Sequence, residues 1–307
     1  MSGSSDIIDC ILVDWGTSTL RVWGLDRTGE VVARRSSSDG MGTLAPGRFE
    51  ATLLALAGDM LGEAGPTQVV VCGMAGARGG WQEAVYREVP CAPVAPGGVT
   101  RVETVDPRIA VAIVPGLCQA SPADVMRGEE TQLAGLLSVR DSGDAVACMP
   151  GTHSKWVQLA EGRIVSFATY MTGEVFAVMA THSILRSSLA SDGHDEEAFL
   201  AAVAQMLENP RELTGAMFSI RSASMLDGLG PQAARARLSG LLIGAELAAK
   251  RDLWEGRTVD LVGAEPLCER YAAALNHAGA TVRRHDAEAL TLAGLRRTRE
   301  LMREETI

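Results

Sequence analysis

The chain has 307 residues, long enough for two domains with separate cores, and its 47% hydrophobic and 21% charged residues are those of a soluble globular protein. A net charge of −10 argues against a nucleic-acid surface, because the basic pairs Arg283-Arg284 and Arg296-Arg297 sit in mixed segments and form no stripe. No apolar run approaches the ~20 residues needed to span a bilayer. Met1 to Asp6 has neither a basic nor an apolar region, so no signal peptide is expected. Six scattered cysteines without a C-x-x-C pair fit a reducing cytoplasm, and five histidines without H-x-x-x-H spacing give no zinc site.

In chain order, the runs Ile7–Asp14, Leu20–Asp26 and Val31–Arg35 are separated by turns short enough for an antiparallel meander. The first run ends on Asp14, and Gly16, Thr17, Ser18 and Thr19 follow. A turn of this kind lets N–H groups and hydroxyls approach a phosphate closely. A strand-end Asp is suited to hold a hydrated Mg²⁺ through its waters. Taken alone, the segment is equally an ordinary hairpin turn. A helix is predicted over about 47–61, a strand at Gln68–Cys72, a Pro- and Gly-rich loop through Val99, and a strand at Ile109–Val114. Pro122 to Val139 reads as a helix with Asp124 in its first turn. The turn Asp141-Ser-Gly-Asp144 then divides a first domain, 1–139, from a second, 140–307.

The second half repeats the first. The run Ala145–Met149 meets Pro150-Gly-Thr-His-Ser-Lys155 and continues as Trp156–Leu159. Gly16-Thr17 and Gly151-Thr152 fall at corresponding places, and the turns at Gly29 and Gly162 each lead into a third apolar run. A strand, hydroxyl-rich turn, strand unit present twice implies two related α/β domains, each with a phosphate turn. A mainly helical middle is predicted from Thr172 to about Arg251. After it come a strand at Thr258–Val262, a helix over Pro266–Ala278, a strand at Ala280–Arg284 and a helix from about Ala287.

There is no Walker A loop and no kinase G-x-G-x-x-G, so the turns at Gly16 and Gly151 would have to carry the phosphates. This arrangement resembles the actin, sugar kinase and Hsp70 ATPase superfamily, whose ribonuclease H-like domains clamp ATP in an interdomain cleft. The resemblance narrows at six blocks: Asp14-Trp-Gly-Thr17, Gly73-Met-Ala-Gly-Ala-Arg-Gly-Gly-Trp-Gln-Glu83, Asp124-Val-Met-Arg-Gly-Glu-Glu-Thr-Gln132, Pro150-Gly-Thr-His-Ser-Lys-Trp156, Tyr170-Met-Thr-Gly-Glu174 and Gly240-Leu-Leu-Ile-Gly-Ala-Glu246. In this order and over nearly the whole chain they are similar to the 2-dehydro-3-deoxygalactonokinase family. The resemblance implies ATP-dependent phosphorylation of 2-dehydro-3-deoxy-D-galactonate at O6, a step of galactonate breakdown. The alternative is a kinase for another small sugar or keto-deoxy sugar acid. A sugar-sensing regulator of this fold would need a helix-turn-helix, for which a first strand at about residue 7 leaves no room. An activator of a radical enzyme would need cluster-ligating cysteines. A filament-forming, actin-like protein would have no evident use for the Arg and Trp loop after Gly73, and an assembly of like chains is left open.

Phosphoryl transfer needs a positioned phosphate, a metal and a carboxylate that accepts the acceptor's proton. Asp124 is the first candidate for the base, because the resemblance puts a catalytic Asp there; a helix-end Asp that stabilises the macrodipole is the competing reading. Glu129 and Glu130 are its competitors on the same segment. Asp14, Gly16, Thr17 and Ser18 are expected around Mg²⁺ and ATP, and Gly151, Thr152, His153 and Lys155 at the second turn, although a lone Lys at a hairpin is more ordinarily solvated. Gly263 and Ala264 resemble the superfamily's adenosine-contacting turn. The substrate's carboxylate calls for Arg, for which Arg78 and Arg127 are candidates, with Trp81 and Glu174 as further substrate contacts. Gly240, Gly244 and Glu246 read as a helix-packing face before a nucleotide contact.

Overall fold

The computed structural model describes residues 8–62, 65–190 and 192–304. The expected strand start at Ile7 and the segment Met1 to Asp6 lie outside these residues. The described residues form two compact units. One comprises those up to 143, 161–165 and from 287 onward; the other comprises 144–160 and 166–286.

In the first unit, β1 (Cys10–Trp15), β2 (Leu20–Leu25) and β3 (Val31–Ser37) form the expected antiparallel meander. Helix α1 (Phe49–Ala57) leads to β4 (Thr67–Gly73), parallel to β1. Then follow β5 (Arg87–Glu88), β6 (Thr100–Val102), β7 (Ile109–Ile113), β8 (Leu117–Gln119), β9 (Asp124–Met126) and α2 (Glu129–Ser138). The main sheet runs β3-β2-β1-β4-β7-β6. Strand β1 reads as an apolar run up to Asp14 because both faces of the sheet are covered. Ile11, Val13 and Trp15 join Phe49 and Leu53 of α1. Cys10 and Leu12 join Ala134 of α2 and Leu295, Leu301 and Met302 of the C-terminal helix, Ala287–Glu304.

Two expectations are corrected here. The C-terminal helix was assigned to the second domain but belongs to the first unit. It crosses α2 at two glycines, where a Cβ on Gly135 would overlap the Leu290 carbonyl and one on Gly294 would overlap that of Thr131. The second correction concerns the helix predicted over 122–139. Asp124 lies in β9, opposite Gln119 of β8, in a small sheet of order β5-β8-β9. Helix α2 cannot start before Gly128, whose φ of 103° is outside the helical range.

In the second unit, β10 (Ala145–Met149), β11 (Ser154–Ala160) and β12 (Arg163–Tyr170) precede α3 (Thr172–His182), α4 (Glu196–Glu208), α5 (Leu213–Leu226), α6 (Pro231–Ala249) and α7 (Arg251–Trp254). Then come β13 (Thr258–Gly263), α8 (Glu265–His277) and β14 (Thr281–Asp286). The sheet order β12-β11-β10-β13-β14 reproduces β3-β2-β1-β4-β7, with β10, β13 and β14 parallel. The repeat read in the sequence is therefore a repeat of topology, and each unit is ribonuclease H-like. Trp156, Val259, Leu261 and Tyr271 pack with Phe199, Val203 and Ile243, so α4, α6 and α8 enclose one core with the sheet.

Candidate active site

The first turn lies where β1 hands over to β2. Gly16 N–H closes it on the Thr19 carbonyl at 2.8 Å, leaving Thr17, Ser18 and Thr19 exposed. A second loop braces it from behind, with Met41 N–H donating to Gly16 O at 3.0 Å and Gly42 N–H to Thr17 O at 2.8 Å. The brace requires glycine at position 40, where a Cβ would overlap the backbone of Thr17 and Ser18. Sequence reading missed this loop, whose only signal is the pair Gly40 and Gly42. Asp14 sits at the strand end, its Oδ2 accepting from Arg21 Nη1 at 2.8 Å. Burial pushes its carboxyl above the ordinary value, against the pull of Arg21.

After β4, the 74–86 segment separates the expected substrate residues. Arg78 is exposed. The Trp81 ring is partly buried and packs against the core, 6.0 Å from Trp15 and stacked 6.2 Å from Phe49. Arg127 lies over the Tyr86 ring at 4.4 Å and donates from Nη2 to the Ala84 carbonyl at 2.9 Å. Its Nε and Nη1 are buried without a hydrogen-bond partner among the described residues.

The three carboxylates of the 124–130 segment have different surroundings. Asp124 is partly exposed, and its Oδ1 accepts from Val125 N–H at 2.7 Å. Glu129 accepts from Arg127 N–H at 3.0 Å, and Glu130 from Gly128 N–H at 2.7 Å. Glu130 is fully buried, and burial followed by the charge of Glu129 pushes its carboxyl up to about 8. A group that holds its proton at neutral pH and meets no solvent is a poor acceptor for a substrate proton.

In the second unit the turn at Gly151 joins β10 to β11. Thr152 and His153 are exposed. Its far side rests on the start of α3, where Glu174 N–H donates to Thr152 O at 2.9 Å, and a Cβ on Gly173 would overlap the Gly151 carbonyl. The His153 ring meets Glu174 Oε2 at 2.5 Å, so two expected site residues form one pair. Lys155, a candidate phosphate contact of the second turn, is buried, which sets aside the solvated hairpin reading; it falls within β11 opposite Met149. Gly263 ends β13 and Ala264 caps α8. Gly151, Thr172 and Gly173 share the walls of an open concavity with Phe176, Leu242, Ile243, Leu267, Arg270 and Tyr271. Apolar walls with a few polar atoms suit a flat heteroaromatic group.

Behind that concavity lies Glu246, 2% exposed, which sequence reading assigned to helix packing. Its Oε2 accepts from Ser154 Oγ at 2.7 Å, from Tyr271 OH at 2.8 Å and from Thr172 Oγ1, while Oε1 accepts from Trp156 Nε1 at 2.8 Å.

A family model described as 2-keto-3-deoxy-galactonokinase matches residues 14–298. A protein of Rhizobium meliloti (strain 1021), named as a probable 2-dehydro-3-deoxygalactonokinase, is 42% identical over 92% of this chain and 94% of its own length. The 2-dehydro-3-deoxygalactonokinase of Escherichia coli (strain K12) is 35% identical over 93% of this chain and 96% of its own. A solved structure from Sinorhizobium meliloti, provisionally named as the same kinase, superposes with a TM-score of 0.87 at 42% identity, covering 94% of this chain and 97% of that one. The order of the six sequence blocks, the doubled sheet topology and these matches agree, and the chain belongs to the 2-keto-3-deoxy-galactonokinase family of carbohydrate kinases.

Proposed function

We propose that this protein transfers the γ-phosphoryl group of ATP to the O6 hydroxyl of 2-dehydro-3-deoxy-D-galactonate. The observation that carries the reading is the doubled strand, Gly-Thr turn, strand unit. Each copy leaves exposed hydroxyl-bearing side chains (Thr17, Ser18 and Thr19 in one unit, Thr152 in the other) on a turn braced from behind, at Gly40 to Gly42 and at Gly173 respectively. Such turns accept phosphate oxygens without further movement.

Gly151, Thr152 and His153 bind nucleotide phosphate, and the concavity walled by Gly173, Leu267 and Tyr271 takes the base, with Gly263 and Ala264 at the start of the helix that carries Leu267 and Tyr271. Asp14 fits Mg²⁺, since one strand-end carboxylate meets the requirement of an ion that keeps most of its waters and binds mainly through phosphates. The bound ion supplies neutralisation of the developing charge. Arg78, exposed on its loop, pairs with the sugar acid's carboxylate, while Arg127 braces that loop from beneath through Ala84 and Tyr86. Asp124 accepts the proton of the attacking hydroxyl, since it is partly open to solvent where Glu130 is closed. The enzyme works in the cytoplasm. A coupled ADP-release assay across keto-deoxy sugar acids tests the reading. Turnover should be highest with the galactonate-derived acid, and a preference for another sugar acid would replace that substrate.

A further inference from the structure

Glu246 has no direct part in the site just described, yet it is a buried carboxylate with four side-chain donors. A carboxylate removed from water is costly unless hydrogen-bonded, and here four neutral donors share it. Those donors come from β11, α3 and α8. Two of them flank the phosphate turn: Ser154 is the first residue after Gly151-Thr-His153, and Thr172 opens the helix whose Gly173 and Glu174 back the turn.

We propose that Glu246 is a positioning residue for nucleotide binding. By drawing Ser154 and Thr172 onto one oxygen, it fixes the 151–153 turn against the start of α3, so that the turn's donors face a phosphate already aligned. The carboxylate stays behind the turn and touches no ligand. The proposal rests on the assignment of this turn to ATP phosphates.

Three variants of the full chain test it. Glu246→Gln keeps the shape but removes one acceptor oxygen. Ser154→Ala removes the turn's own tether at a residue with 0% exposure, which no ligand reaches. Trp156→Phe removes a donor from Oε1, the oxygen that does not hold the turn. A hydrogen bond to a charged group is worth about tenfold or more in an equilibrium, so Glu246→Gln and Ser154→Ala should each raise KM for ATP about tenfold and change KM for the sugar acid by less than about twofold. Trp156→Phe should lower Tm and leave KM for ATP near the wild-type value. Variants that lose Tm with an unchanged KM for ATP, or that raise both KM values together, would overturn the positioning role. If Glu246→Gln does not fold, the contrast between Ser154→Ala and Trp156→Phe decides. Gly151→Val separates the two levels. Unchanged ATP affinity in that variant removes the phosphate turn itself, whereas weakened affinity there with an unaffected Ser154→Ala removes only the role of Glu246.

Discussion

Replacing Glu130 by Gln should flatten the dependence of stability on pH. Glu130 is fully buried in the first turn of α2, accepting from Gly128 N–H at 2.7 Å and Thr131 Oγ1 at 3.1 Å, with no cation among these partners. Its carboxyl moves from an ordinary 4.5 to about 8 in the folded protein, chiefly by burial and then by the charge of Glu129. The folded chain therefore holds a proton that the unfolded chain releases. Stability from this group is complete below 4.5 and is lost as pH rises through about 8. At 1.36 kcal/mol for each tenfold in proton activity, the loss is about 4–5 kcal/mol at most. Gln is neutral and keeps an acceptor for Gly128 N–H, and the Thr131 hydroxyl can rotate to receive its amide. Denaturant titrations at about pH 5, 7 and 9 supply the comparison, with m-values checked for constancy. The wild type should lose stability against Glu130→Gln across that range, and parallel curves for the two proteins would refute the argument. Because Glu130 is closed to substrate, the variant should also keep its turnover; a collapse of kcat would move the base from Asp124 to Glu130.

Asp14→Asn should fold and lose most turnover, and near wild-type activity at saturating Mg²⁺ would take Asp14 out of the mechanism. Gly151→Val should leave Tm nearly unchanged, since the nearest atom to an added Cβ is His153 O at 3.6 Å. Calorimetry should find ATP affinity weakened at least about tenfold and sugar-acid affinity kept. Asp124→Asn should lower kcat by roughly 10²–10⁴-fold with both substrates still bound. A variant with full kcat would count against Asp124, and Asn at this strand position should cost little stability.

Much of the fold was legible because burial on both sheet faces writes itself into β1 and β10 as apolar runs ending at Gly-Thr turns. The repeat then followed from aligning Gly16 with Gly151. The 122–139 segment misled because β5, β8 and β9 are two or three residues long, too short for any period to register, and Gly128 marks the true helix start only through its φ. The burial of Lys155 was not legible, because hairpin context cannot tell a strand's buried side from its open one. The packing of the Trp81 ring was not legible because Trp15 and Phe49, which hold it, are distant in sequence. Glu246 was illegible for the same reason: its donors stand at 154, 156, 172 and 271, and no local pattern joins them. The small-residue face around Gly240 and Gly244 was visible, and it drew attention away from the acid beside it.

The crossing of α2 with the C-terminal helix sets the order in which this chain can be completed. The first unit starts early in the chain but lacks part of the cover for Cys10, Leu12 and Val70 until residues beyond 287 have been made. The second unit is contained within one uninterrupted span apart from the 161–165 return, so its core can close while the chain is still being synthesised. The last helix must then bridge a loop containing an entire folded body, and a compact body shortens the distance that a free chain of that length would have to close. Removing the final helix would uncover the part of one apolar sheet face that Leu295, Leu301 and Met302 close, leaving the cover that Ala134 of α2 and Val94 provide. A protein shortened at residue 286 should collect in aggregates even though its second unit is whole, because apolar residues of the first sheet then meet water.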